Sequence, residues 1–217
     1  MDASRSLKLS HRFAVLIGVF ALGFAVYGAW SFKTINELKV NGPVYQRIVQ
    51  GKDLIADILP PPEYIIESYL VALQIAGTAE KAEQDTLIER LKTLQAEYDT
   101  RHAVWLKEGL GSELDDIFLK QAHIPAMAFY AAAFKEFIPA IQKQDREASA
   151  AAMTRMKQSY ETHRKAIDQV VQITTKRTET DEAQAKDRIQ SASLSLLAIF
   201  TVSLGAGIVL AVMMGRK

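Results

Sequence analysis

The stretch "MTRMKQSYETHRKAIDQVVQIT", Met153 to Thr174, decides the fold class. Met153, Met156, Tyr160, His163, Ile167, Val170 and Thr174 follow one another in alternating steps of three and four. That spacing repeats every seven residues and lines these side chains along one stripe of an α-helix, the seam of a helix packed in a bundle. Working outward, Leu87, Leu91, Leu94, Tyr98, Arg101 and Trp105 repeat the pattern with one polar lapse. Leu114, Ile117, Gln121, Ile124 and Ala128 do so again. No segment alternates with the period of two that a strand requires, so the chain reads as all-α.

The breaks between these runs are chemical. "GTAEKAEQ" from Gly77 places a glycine beside a capping-type threonine. "GLGSELDD" from Gly109 has a glycine stop, then Ser112 as a candidate N-cap with acidic residues in the first turn. "PAIQKQDRE" from Pro139 marks a third turn. Four helices result, at 33–76, 79–108, 113–142 and 144–190. At 1.5 Å per residue the outer two are about 65–70 Å long and the inner two about 45 Å. Such lengths fit an up-down-up-down four-helix bundle, its long outer helices continuing into two transmembrane helices.

Those spans are visible directly. Phe13 to Phe32, "FAVLIGVFALGFAVYGAWSF", is uncharged, and so is Ile189 to Gly215. About 20 apolar residues cross a bilayer as a helix. The first run is longer than a signal-peptide core and lacks a small-x-small cleavage site, so it reads as an uncleaved anchor. Tyr27, Trp30 and Phe32 fall at its outer interface, where amphipathic rings are favoured. Arg5, Lys8 and Arg12 precede the first span and Arg216 and Lys217 follow the second, so the positive-inside rule puts both ends in the cytoplasm. The expected organisation is a cytoplasmic N-terminus (1–12), a first span (13–32), an exported helical domain (33–188), a second span (189–215) and a cytoplasmic start at 216–217.

Composition excludes several functions. Net charge is +1, which argues against nucleic acid as a partner. There is no cysteine, hence no disulfide framework, thiolate metal site or c-type haem attachment. No phosphate-cradling glycine loop, nucleophile elbow or paired-histidine zincin helix is present, so no catalytic residue, cofactor or metal is expected. His11 lies in the cytoplasmic segment, and His102, His123 and His163 lie on three different helices. His163 holds a seam position and reads as a hydrogen-bonded core residue; the others read as surface or half-buried.

One stretch resists the bundle pattern. "IADILPPPEYIIESYL", Ile55 to Leu70, sets Pro60, Pro61 and Pro62 inside the first helix. A proline in a helix interior costs about 3 kcal/mol or more, whereas prolines are tolerated in a first turn. The first helix is therefore interrupted at Pro60–Pro62 and restarts there, with Asp57 as a helper cap and Glu63 and Glu67 in its early turns. The carbonyls before the prolines need partners. Counting turns from the distal end sets Tyr64 level with Phe129 and Tyr130 on the third helix and with Arg155, Lys157 and Tyr160 on the fourth. Aromatic walls with basic groups suit a small carboxylate or amino acid, so Tyr64, Glu67, Phe129, Tyr130, Arg155, Lys157 and Tyr160 are the candidate ligand-binding residues.

A short basic N-terminus, one span, about 155 exported helical residues and a second span with a basic exit resemble the sensory half of bacterial methyl-accepting chemotaxis receptors. Asn41 to Gln74, "NGPVYQRIVQGKDLIADILPPPEYIIESYLVALQ", is similar to a motif of four-helix-bundle sensor domains in that family. The resemblance implies a homodimer in the bacterial inner membrane with its sensor domain in the periplasm. It implies ligand binding near the membrane-distal end and a small piston-like displacement of the last helix. Receptors of this family continue into a HAMP linker and a methylated coiled coil; here the sequence stops at Lys217, so the expectation is either a fragment or a receptor-like protein without an output domain, and downstream signalling proteins would be reached only through an output domain not present here. The expected function is a non-enzymatic chemoreceptor sensor for a small organic acid or amino acid. The sensor half of a histidine kinase or diguanylate cyclase, and a non-sensing structural or interaction protein of the membrane, are the alternatives.

Overall fold

The computed structural model describes residues 9–59 and 63–215. The flanking charges Arg5, Lys8, Arg216 and Lys217 lie outside the described residues, and so does the expected interruption at Pro60, Pro61 and Pro62. Among the described residues the chain is helical throughout and has no strand. The elements are α1 (Leu9–Leu38), α2 (Pro43–Ile58), α3 (Ile66–Gly77), α4 (Lys81–Glu108), α5 (Ser112–Gln142) and α6 (Arg146–Gly215).

The expected first helix, 33–76, is divided twice. Its unforeseen division is at Lys39–Gly42, between α1 and α2. Asn41 turns left-handed there, at φ 66°. Gly42 donates to the Lys39 carbonyl at 2.8 Å, and a Cβ on it would stand 2.8 Å from that oxygen. Pro43 then starts α2, a first-turn position where its missing N–H costs nothing. "NGP" is thus a stop and a restart that the seven-residue pattern ran through. Between α4 and α5 the chain turns on Gly109 (φ 66°) and Gly111 (φ 95°), conformations open to glycine. Ser112 does not cap α5: Gly111 holds that position without a side-chain bond, while Asp115 accepts from the Leu110 N–H at 2.8 Å.

Helix α5 is not regular. Its π-helical turns, Ile117–Ala122 and Ala133–Phe137, come just before Pro125 and Pro139. Proline removes one α-helical hydrogen bond and collides with the preceding turn, and a wider turn relieves both conflicts. Pro139 therefore stays inside the helix, and the reversal comes at Lys143–Asp145, with Gln144 at φ 59°. Asp145 caps α6 by accepting from the Ala148 N–H at 2.9 Å. Each π turn holds an extra residue, so the buried stripe of α5 advances by fours: Leu114, Phe118, Ala122 and Ala126. The expected seam of Ile117, Gln121, Ile124 and Ala128 is displaced from it, and Ile124 is 67% exposed.

The chain divides into two compact units. One comprises Met1–Val49 with Glu179–Lys217, and the other Gln50–Thr178. In the first unit, α1 meets the end of α6 through small residues: a Cβ on Gly23 would reach within 2.8 Å of Ser203 Cβ, and one on Gly207 would strike the Phe20 ring. Close approach at small residues is how helices associate without a hydrophobic driving force between them. Arg47 binds Asp181 through two bonds of 3.2 and 3.4 Å, and Arg188 reaches Glu37 at 3.4 Å. Gly23→Leu is expected to overpack this contact at a cost of about 1–3 kcal/mol and to lower the melting temperature in detergent. Gly18→Leu, with nothing within 4 Å of the new Cβ, serves as the neutral control.

In the second unit, α3, α4, α5 and parts of α2 and α6 share one core. Leu54, Ile58, Leu91, Phe118, Phe129, Met156 and Val170 are all within 1% of full burial. The seam of α6 stands as read from the sequence from Met156 onward, with Met156, Tyr160, His163, Ile167, Val170 and Thr174 all buried, while Met153 is half-buried against the core. Three helical stretches, Phe13–Ile58, Ser112–Gln142 and Arg146–Met214, are long and apolar enough to cross a membrane. The apolar windows of the first and third are 0% and 6% buried, that of the second 44%, because α5 packs its apolar face into the core.

Candidate functional site

Buried polar side chains gather beside the junction of α2 and α3. Glu63 is the anchor. It is 1% exposed, and its Oε1 has no hydrogen-bond partner. Its backbone N–H donates to the Asp57 carbonyl at 3.1 Å, satisfying one of the acceptors ahead of the prolines. Burial, with Asp57 and Asp99 adding repulsion against the pull of Arg101, raises the Glu63 carboxyl to about 8. Asp57 does not cap α3. Its Oδ2 accepts from both Nε (2.8 Å) and Nη2 of Arg101 and from Nε1 of Trp105 at 2.9 Å. The polar lapse in the α4 seam, Arg101, is thus the clamp that fastens the end of α2 to α4.

Three histidines stand close by. His102 and His123 stack face to face, 3.8 Å between ring centres and 7° from parallel. Tyr98 lies parallel to both and shares a 3.1 Å hydrogen bond with His123 Nδ1. His102 is buried, with no partner for Nδ1. His163 is fully buried, and its roles are fixed by its neighbours. The Ile65 N–H donates to Nε2 at 3.4 Å, so Nδ1 carries the proton and donates to the Ala122 carbonyl at 2.8 Å. The sequence reading of His163 as a hydrogen-bonded core residue is met; His102 is more buried than expected. Burial lowers His102 and His163 to about 4 and lowers His123, so the imidazoles are neutral near pH 7. Among the described residues no three His, Cys, Asp or Glu side chains are grouped to hold a metal ion.

The candidate ligand residues divide into two sets. Tyr64, Phe129, Tyr130 and Tyr160 converge. Tyr64 and Tyr160 share a 2.7 Å hydroxyl hydrogen bond, and Tyr130 shares one of 2.8 Å with Ser68. Tyr69 bridges the group, stacked 4.5 Å from Tyr160 and set edgewise to Phe129 at 6.2 Å. Burial and the Tyr64 hydroxyl raise the Tyr160 phenol to about 12. Glu67, Arg155 and Lys157 face outward instead. Glu67 pairs with Arg90 at 2.7 Å, Arg155 with Glu136, and Lys157 lies 3.9 Å from Glu161. The level counted along the helices is right for the rings, but Arg155 and Lys157 stand exposed on the two flanks of α6, Arg155 toward Glu136 of α5.

Room for a solute exists elsewhere, at the end of the second unit where α3 turns into α4 and α5 into α6. A groove of about 920 Å³ opens there. Phe137, Ile141 and Met153 give it an apolar floor, and Thr78, Lys81, Gln84, Asp85, Gln144, Asp145, Arg146 and Ser149 line it with polar groups. Lys81 and Arg146 make no ion pair among the described residues. Sequence reading missed the groove because it is built by two turns far apart in sequence, at 78–80 and 143–145. Compared with family models, curated proteins and solved structures, the chain matches none.

Proposed function

We propose that this chain is the sensory module of a two-span bacterial chemoreceptor, a homodimer in the inner membrane whose periplasmic four-helix bundle detects a small organic acid or amino acid. The observation that carries the reading is the end groove. It has the volume of a small-ligand site, an apolar floor, and two cations, Lys81 and Arg146, that form no ion pair among the described residues, with the carboxylate of Asp85 in the same lining. Lys81 and Arg146 suit a carboxylate and Asp85 an ammonium, the two ends of an amino acid. Two uncharged segments flanking a helical unit support anchorage at both ends, and the tyrosine-rich layer couples helix α6 to Tyr64 and Tyr69 beside the α2–α3 junction. A displacement of 1–2 Å between packed helices is enough to carry such a signal.

Thermal unfolding of the full chain in lipid nanodiscs, screened against carboxylic and amino acids, tests this. A true ligand at a hundred times its Kd stabilises by about 2.7 kcal/mol, which raises the melting temperature by about 5–10 °C. Lys81→Ala with Arg146→Ala is expected to weaken that ligand at least tenfold, the loss of one charge-assisted hydrogen bond. Unchanged affinity in the double variant would remove the groove as the binding site, and no shift across the panel would remove direct solute sensing.

A further inference from the structure

We propose that the helical core is also a proton sensor, with Glu63 as its proton-binding group and the Asp57–Arg101–Trp105 clamp as the element that responds. The observations are geometric. Glu63 is a fully buried carboxyl with an unpartnered oxygen, placed between the last turn of α2 and the first of α3. Helix α2 confronts it with Asp57, and α4 with Tyr98, Asp99 and Arg101. Tyr130 of α5 also acts on it, and His163 of α6 bonds the chain two residues on, its Nε2 accepting from the Ile65 N–H. Arg101 is the one cation in this set, and it is already committed to Asp57.

Protonated, the Glu63 carboxyl is neutral and leaves that commitment undisturbed. When its proton passes to bulk water, a second carboxylate competes for Arg101 and repels Asp57, with no other cation in the set to share. Asp57 also accepts the Trp105 N–H and, through its carbonyl, the Glu63 N–H, so its movement is felt by α2, by α4 and by the chain entering α3. The raised affinity of Glu63 for its proton puts the transition around pH 8, within reach of an extracytoplasmic compartment. This holds whether or not a solute occupies the end groove.

Trp105 reports the event directly. In full chain carrying Trp30→Phe, so that Trp105 is the sole tryptophan, indole emission is expected to titrate with a midpoint near 8. Glu63→Gln is expected to abolish that titration while retaining the helical circular dichroism of the parent. A Glu63→Gln protein that titrates like its parent, or a parent with no transition in this range, would overturn the proposal. Should Glu63→Gln fail to fold, infrared spectroscopy of the parent decides. Isotope-labelled glutamate is expected to show a protonated-carboxyl band at neutral pH that bleaches through the same transition. Glu63 is the buried glutamate among the described residues, so absence of that band shows it ionised and defeats the proposal.

Discussion

The unfolding free energy of the chain is expected to peak near pH 6.5 and to fall on both sides. The alkaline limb belongs to Glu63. Its pKa in the fold is raised from 4.5 to about 8, so the folded state holds the proton more tightly than the unfolded chain. That stabilisation is complete below 4.5 and drains away as pH rises through 8, at about 1.4 kcal/mol per pH unit. The acid limb belongs to His102 and His163. Both are lowered from 6.5 to about 4, so their contribution is complete above 6.5 and is lost as pH falls through 4. Between 4.5 and 6.5 the two histidines outweigh the one glutamate, and stability climbs; above 6.5 the glutamate acts alone, and stability falls. Chemical denaturation at a series of pH values measures the profile. Glu63→Gln is expected to flatten the alkaline limb and to stabilise the chain by about 2–4 kcal/mol above pH 8. An alkaline limb of equal slope in the variant would mean that other groups produce it.

The second large effect is expected of Asp57→Ala. The change leaves the Trp105 N–H, on a residue 3% exposed, without an acceptor, and leaves Arg101 without its counter-charge. An orphaned buried donor costs about 1–3 kcal/mol. The guanidinium adds less than a fully buried ion would, because its side chain is 37% exposed and water reaches it. The sum is about 3 kcal/mol, a large part of the margin of an ordinary domain. Asp57→Asn keeps an acceptor for the indole and is expected to recover part of the loss. Denaturant midpoints of the three proteins test the order. Equal stability of all three would show that the clamp closes without Asp57.

Legibility of the sequence followed physical locality. The α6 seam is read correctly because seven-residue spacing is a property of one helix, and the two exposed apolar runs are read correctly for the same reason. The α5 seam is misread because its π turns change the step from seven residues in two turns to four in one, and the only sequence trace of them is Pro125 and Pro139. The break at Lys39–Gly42 had its signal in "NGP", outweighed by the helical pattern on either side. At the site, counting turns brings Tyr64, Phe129, Tyr130 and Tyr160 to one level but cannot assign azimuth, and so it groups with them Arg155 and Lys157, which stand exposed on the two flanks of α6. Glu63 was read as a dipole-favoured residue of a first turn. Its burial depends on α4 and α5 closing over it, which no local spacing encodes. Arg101, the lapse in an otherwise apolar seam, was the visible hint that a buried carboxylate needed a partner.

Helix α5 has the length and apolarity of a membrane span, yet buries its own Phe118, Phe129 and Phe137 in the protein core. The same segment therefore suits two solvents, lipid and the protein's own interior. Asp116, Lys120, the histidine and the two prolines within it all weigh against lipid. Features that read as defects in a finished helix thus act as ballast, making the core the better solvent for α5.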